Sequence, residues 1–395
     1  MGCTGTAESW PGVADYVKGG DQVARASDPG VETPRPGYGA AAGRDTASFP
    51  EVTSRSSRSA RRPPAMTDVA KLAGVSPQTV SRALSQHASV SPMTRARVLA
   101  AADGLGYRLN TAARTLATGH SRTLGVVAFN STFFGPVSTL HGIEQAARVA
   151  GYFISVVSLR SIDRHSVADA VGRLNDQVVE GIVVIAPLTS AAEALENLPT
   201  DMPVVVVEGD PNAGLAAVTV DQAAGARAAT SYLLSTGHQN VFHVKGPPEW
   251  QEAQGRLSGW RSALEEVGAE VVPPLSGDWT ARSGYQAGQV LARVPEVTAI
   301  FAANDQMALG VLLALHEHNR RVPEDVSVVG FDNIPDSAYF MPPLTTVRQD
   351  FDQVGRTSLR LLLDQINSGA RSVERVMIQS ELVVRQSTLG TPEAS

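Results

Sequence analysis

GVSPQTVSR (74–82) is the stretch that decides how the rest of the chain is read. Before it, TDVAKLA (67–73) carries a short apolar helix pattern. Gly74 then allows a sharp turn, since only glycine enters left-handed backbone geometry cheaply. Val75 is expected to tuck inward, Ser76 to cap a second helix, and Pro77 to occupy its first position. Val80 and Leu84 fall four apart on one face, and Gln78 and Arg82 four apart on another, pointing outward. Two short helices joined by a glycine-containing turn form a helix-turn-helix. Pro77, Gln78, Thr79, Ser81 and Arg82 are its candidate DNA-contacting residues, because glutamine pairs with adenine edges and arginine with guanine edges in the major groove.

Charge agrees with that reading once it is divided along the chain. The whole chain carries −6, but residues 66–122 carry +5, residues 1–65 carry +1, and the remainder −12. A basic head on an acidic body concentrates attraction for phosphates at one end. The 395 residues suffice for two or three domains, and 43% hydrophobic with 18% charged residues is ordinary globular composition. No run approaches the roughly 18 apolar residues of a membrane span. The single cysteine, Cys3, excludes an internal disulfide framework and fits a reducing cytoplasm.

Residues 1–65 are rich in Gly, Pro, Ser, Ala and Arg, lack a secretory h-region, and read as a disordered extension or as sequence upstream of a start at Met66. Beyond the helix-turn-helix, Ser91-Pro92 opens a third helix over 93–105, with Val98, Ala101, Ala102 and Leu105 at helical spacing and Tyr107 beyond. NTAARTLATG (110–119) has Asn110 as cap and Gly119 as terminator, but it contains no core of its own, so it reads as a partly helical linker.

From Leu124 onward, short apolar runs alternate with amphipathic helices. Strands are expected at 124–129, 152–159, 181–187, 203–209 and 216–221, with helices at 137–150 and 167–179. The second half repeats the theme, with helices at 222–235, 255–267, 282–292 and 305–318 and strands at 241–246, 298–304 and 326–332. Branched, buried strands separated by helices mean doubly wound parallel sheets, and two of them in about 220 residues suggest paired lobes with a cleft. Ligands of such sheets sit beyond the carboxyl ends of strands. There the chain offers Glu208, Asn304 and Asp332, whose side chains suit vicinal hydroxyls, although Asn304 is also a natural helix cap. Arg256 offers a bidentate fork and Trp279 a flat apolar ring.

The helix-turn-helix together with ANDQMALG (303–310), SVVGFDNIPDS (327–337), PPLTTVRQDF (342–351) and GDWTARSGYQ (277–286) resembles the lactose/galactose-repressor (LacI/GalR) family. The likeness runs from about Met66 to Leu389 and is greatest to the lactose-repressor branch. It implies a helix-turn-helix head (66–109), a hinge helix and linker (110–122), and a periplasmic-binding-protein-like sugar-binding and dimerisation core (123–395). In that core one lobe spans about 123–221 plus 351–378 and the other about 222–350 plus 379–389. The tail helix 351–366 and the strands within 375–386 then cross between lobes. The resemblance makes Asn110, Ala113 and Leu116 hinge contacts to DNA, Leu116 being a minor-groove wedge. It gives Arg256, Asn304 and Asp332 sugar-hydroxyl roles and places Glu208, Trp279, Gln349 and Phe351 around the pocket. The chain departs from that branch at Glu208 (Asp there), at Pro77 (a base-contacting Tyr there) and over NSTFFGPVS (130–138). The tetramer-forming leucine heptads are absent, so a homodimer on a pseudo-palindromic operator is expected.

These features point to a repressor of sugar-utilisation genes, with galactoside genes as candidates, released by a small sugar. The alternatives are a corepressor-dependent regulator of the same family, or a sugar-binding protein without DNA function. An enzyme is disfavoured, since GxGxxG, P-loop, GxSxG and HExxH motifs are missing. The pair His316 and His318 sits at i and i+2, on different helix faces, so no metal is expected.

Overall fold

The computed structural model describes residues 62, 64–84, 87–108, 115, 119–129, 132–161, 163–196, 202–209 and 214–388. The expectations for the 1–65 extension and for Asn110, Ala113 and Leu116 fall almost wholly outside them. Two compact units result, the head and the core.

In the head, α1 (Met66–Ala73), α2 (Pro77–Leu84) and α3 (Pro92–Leu105) enclose a small core of Val69, Ala73, Val80, Ala83, Val98 and Ala102. Gly74 has φ 62°, and the Val75 N–H reaches back to the Ala70 carbonyl at 3.1 Å, closing α1 with a left-handed turn. Ser76 Oγ accepts the Thr79 N–H at 3.1 Å, and Ser91 Oγ accepts the Thr94 N–H at 3.2 Å. Leu105, expected in this core, is instead 36% exposed; the glycine-terminated end of α3 leaves Val98, Ala101 and Ala102 to fill it.

The core begins with β1 (Thr123–Phe129), α4 (Phe134–Val149), β2 (Phe153–Leu159), α5 (Arg164–Asp176), β3 (Ile182–Ile185), α6 (Ala191–Glu196), β4 (Val204–Val207) and β5 (Ala216–Val220). It continues with α7 (Gln222–Ser235), β6 (Phe242–Lys245), α8 (Gln251–Glu266), β7 (Leu275–Ser276), α9 (Ala281–Leu291), β8 (Ala299–Ala302), α10 (Asp305–Glu317) and β9 (Ser327–Asp332). A 3-10 turn (Pro335–Tyr339), β10 (Thr345–Arg348), α11 (Phe351–Ser368), β11 (Arg375–Ile378) and β12 (Glu381–Val383) complete it.

The first sheet has the order β11-β5-β4-β3-β1-β2 and is parallel throughout. Its central strands, IVVI and VVVV, are buried on both faces, which is why they read as unbroken apolar runs. The second sheet, β12-β10-β9-β8-β6-β7, is parallel except at one edge: β12 runs antiparallel to β10, pairing Leu382 with Val347. The two sheets are the doubly wound parallel layers expected, with this single antiparallel edge added. The chain passes between lobes at 220–222, 348–351 and 378–381, and the Asp221 N–H bonds the Ile378 carbonyl at 2.9 Å, tying two crossings together. Two crossings end in helix caps, Asp221 on the Ala224 N–H and Asp350 on the Gln353 N–H.

Several boundaries move. Helices expected to start at 137, 167 and 255 start at Phe134, Arg164 and Gln251. Short α6, the two-residue β7 and β10 were not anticipated. Among the described residues no helix is long and apolar enough to cross a membrane.

Candidate functional site

Two adjoining cavities open between the lobes of the core, where strand ends meet the crossings. Arg256, Trp279, Asn304 and Asp332 line one, and Glu208, Arg256, Gln349 and Phe351 line the other. All seven candidate ligand residues therefore lie on one cleft.

Its floor is a closed ring of four buried side chains. Arg256, on α8, donates Nη2 to Asp332 Oδ1 at 3.1 Å and Nε to Gln222 Oε1 at 2.9 Å. Gln222 donates to Gln349 Oε1 at 2.9 Å, and Gln349 donates to Asp332 Oδ1 at 2.8 Å. Arg256 Nη1 bonds the Ala303 carbonyl, and the guanidinium carbon lies 3.9 Å from the Phe331 ring centroid. All three nitrogens of this fork are thus engaged in fixing its position. Asp332 Oδ2 takes no hydrogen bond from a described residue, so it is the oxygen available to a hydroxyl. Burial raises the Asp332 pKa, against the pull of Arg256 and the Gln349 bond.

Asn304 performs the capping role its position allowed: Oδ1 accepts the Met307 N–H at 2.9 Å, while Nδ2 holds the Trp279 carbonyl at 3.0 Å. Its amide thereby fixes the loop that carries the indole. Trp279 is buried, and its Nε1–H finds no acceptor among the described residues. Aromatic rings continue from it towards the first lobe, with Trp279 to Trp250 at 5.9 Å and Trp250 to Phe133 at 5.6 Å, both edge-on. Phe351 meets Phe134 edge-on at 5.7 Å. Glu208 accepts the Val220 N–H at 3.1 Å, and burial pushes its carboxyl up. Glu208, Trp279 and Asp332 all hold positive φ (55°, 72° and 103°), and such strain persists only where surrounding structure over-determines it.

Four residues escaped the sequence reading. Gln222 follows β5 and obeys the same strand-end rule as Asp332, so that signal was present. Trp250 joins the lobes: it bridges Leu188, while the Thr189 N–H bonds the Glu249 carbonyl and the Gln251 N–H bonds the Pro187 carbonyl, each at 2.9 Å. Asp305, behind Asp332, accepts from Thr346 Oγ1 at 2.5 Å and from the Ile334 N–H at 2.8 Å; burial and the Asp332 charge push it up to about 8. Glu252 lines both cavities one helical turn before Arg256. It was missed because polar QEAQ (251–254) hides the start of α8.

On the head, Pro77, Gln78, Ser81 and Arg82 are exposed along α2 and Thr79 is half-buried, so Gln78 and Arg82 face outward as their four-residue spacing predicts.

Residues 65–110 match the family model described as bacterial regulatory proteins, lacI family, and residues 230–388 match a periplasmic binding protein-like domain. The lactose operon repressor of Escherichia coli (strain K12) is 34% identical over 330 residues, covering 83% of this chain and 91% of that protein. The transcriptional regulator CelR of Thermobifida fusca is 34% identical over 342 residues, covering 83% and 99%. Among solved structures, the lac repressor dimer bound to operator and the anti-inducer ONPF superimposes with a TM-score of 0.74 at 33% identity, covering 83% of this chain and all of that one. A CelR–cellobiose complex gives 0.61 at 32% identity, covering 82% and 99%.

Proposed function

The chain belongs to the lacI family of bacterial regulatory proteins, and from that membership we propose a sequence-specific transcriptional repressor whose hold on its operator is set by a small sugar. The observation that carries the proposal is one chain with two chemistries. It has an exposed Gln78–Arg82 face on a capped helix-turn-helix, and a separate cleft of committed polar side chains beside aromatic rings. Its relatives named above are a repressor and a transcriptional regulator, and two solved neighbours hold ONPF or cellobiose.

In this reading residues 66–109 bind DNA, with Gln78 and Arg82 on base edges and Pro77, Thr79 and Ser81 beside them. Residues 110–122 form the hinge, with Asn110, Ala113 and Leu116 at the minor groove. Residues 123–395 bind the effector and pair two copies, and the protein works in the cytoplasm. Pairing is supported by a groove in the second lobe where Leu309, Leu313, Met341 and Pro342 lie together, Leu313 being 51% and Met341 92% exposed. In the cleft, Asp332, Arg256 and Asn304 face sugar hydroxyls, Trp279 and Phe351 the apolar ring face, and Glu208 and Gln349 the rim. Glu208 is one methylene longer than the aspartate of the lactose-repressor branch, which alters the reach to the sugar.

A sugar switches such a protein only by binding its two states unequally; reversing a 99:1 population takes roughly a 10⁴-fold difference in affinity. The Leu188–Trp250 bridge and its two flanking backbone bonds are interlobe contacts that a ligand in the cleft can favour or strain. The test is DNA binding to the chain's own upstream region at fixed salt. Gln78→Ala with Arg82→Ala abolishes specific binding and leaves sugar binding intact; retained specificity in that variant overturns the head assignment.

A further inference from the structure

The cleft is lined by three carboxyls, Glu208, Glu252 and Asp332, and by one base, Arg256. Arg256 gives Nη2 to Asp332, Nε to Gln222 and Nη1 to the Ala303 carbonyl, and none of its hydrogen bonds reaches Glu208 or Glu252. Glu208 and Glu252 therefore face the cleft without a hydrogen-bonded cation. Glu252 is 9% exposed, and its Oε2 takes no hydrogen bond from any described residue. A buried carboxylate oxygen with no donor is costly unless something supplies one.

A neutral sugar supplies hydroxyl donors but no charge. We propose that the effector is a polyol bearing a protonated amine, an amino sugar, with its ammonium seated between Glu208 and Glu252. The proposal rests on the reading of this cleft as a sugar site and narrows the class of sugar.

Three further features fit that occupant. An ammonium has three donors and no acceptor, and it faces oxygen acceptors on two carboxyls from opposite lobes, Glu208 after β4 and Glu252 in the first turn of α8. The rings of Phe133, Trp250 and Trp279 line the adjoining cavity that Glu252 also borders, where the apolar face of the sugar can lie. The unpaired Trp279 Nε1–H suits a hydroxyl or ring oxygen, and Asp332 Oδ2 accepts from a further hydroxyl. Burial raises both Glu208 and Glu252, and the nearby Glu208 charge raises Glu252 further; Arg256 lowers both and Asp332 raises Glu252. Each carboxyl thus tends to hold a proton near neutral pH until a cation replaces it.

The test is calorimetry on the full chain at about pH 6.5, titrating galactosamine, glucosamine, their N-acetyl forms and the neutral parents in buffers of differing ionisation heat. An amino sugar is expected to bind about ten- to a hundredfold tighter than its parent and its N-acetyl form, the range of one or two charge-assisted hydrogen bonds. Binding should release protons to the buffer, as the carboxyls ionise against the ammonium. Glu252→Gln, and separately Glu208→Gln, should bring that ratio close to one. Proton release in the unaltered protein is a readout that does not depend on either variant folding. A parent sugar binding as tightly as the amine, or a ratio that survives either substitution, overturns the inference and leaves the sugar site standing. Failure of every sugar, amino or neutral, overturns the sugar reading and this inference with it.

Discussion

Arg256 Nη2 and Asp332 Oδ1 lie 3.1 Å apart with both side chains more than nine-tenths buried, and neither residue is free to leave the other. The pair joins α8 to the end of β9, and the two glutamine amides extend it to both neighbouring interlobe crossings. Under the proposed function this one network would couple effector contact to lobe geometry.

Asp332→Asn removes the charge while keeping the volume. It is expected to weaken sugar binding at least tenfold and to leave operator binding intact, giving a regulator that does not release. Breaking a buried ion pair by removing one partner costs about 3–5 kcal/mol, so Asp332→Ala should unfold at distinctly lower denaturant. Denaturant melts paired with sugar titrations separate the two effects, and equal loss of both activities in Asp332→Asn counts against the assignment.

Gly142 on α4 and Gly355 on α11 pack backbone to backbone. A Cβ on Gly142 would lie 2.3 Å from the Phe351 carbonyl oxygen, and one on Gly355 would lie 2.2 Å from the Gly142 carbonyl carbon. Backbone does not yield as a side chain does, so the helices must part. Gly142→Ala is predicted to destabilise the core by about 1–3 kcal/mol, the usual overpacking range, and to disturb Phe351 at the cleft. A denaturation midpoint unchanged from that of the unaltered chain refutes it.

Much of this was legible because the physics was local. Branched runs such as VVVV at 204–207 declare buried parallel strands, and Gly74, Ser76 and Ser91 declare helix ends. Glu208, Asn304 and Asp332 were singled out by strand ends before the resemblance gave them roles, and all three line the cleft. Residues whose role depends on distant partners were less visible. Glu252 is an ordinary acidic residue in a polar helix start until Glu208 stands across the cleft from it. Trp250 in GPPEW gave no sign of the bridge to Leu188, and β7 and β10 owe their existence to neighbours already in place.

His243 is stacked between Phe301 and Trp260, at 4.8 and 5.2 Å, and shares its Nδ1 proton with the Phe301 carbonyl. Burial pushes its pKa down to about 3. The folded chain then binds fewer protons than the unfolded one below about pH 6.5, so stability falls with falling pH throughout the window from about 6.5 to about 3. The loss is about 2 kcal/mol between pH 6.5 and pH 5. Buried carboxyls such as Asp305 work in the opposite direction, so the comparison needed is with His243→Phe. The variant should lose that part of the slope; identical slopes in both proteins contradict the prediction.

Leu313 is half exposed on α10, at the groove assigned to pairing. Leu313→Asp should yield monomers in sedimentation and weaken operator binding by about 10²-fold or more, because the second head loses its tether. Dimers that persist unchanged place the interface elsewhere.

Cleft and head are proposed to act as one switch. It is tested most directly by the affinity of the full chain for its upstream DNA, at fixed salt, across a sugar panel that includes amino sugars. One sugar should lower specific affinity by orders of magnitude while non-specific affinity holds. A sugar that binds the cleft tightly and leaves specific DNA affinity unchanged would contradict the account.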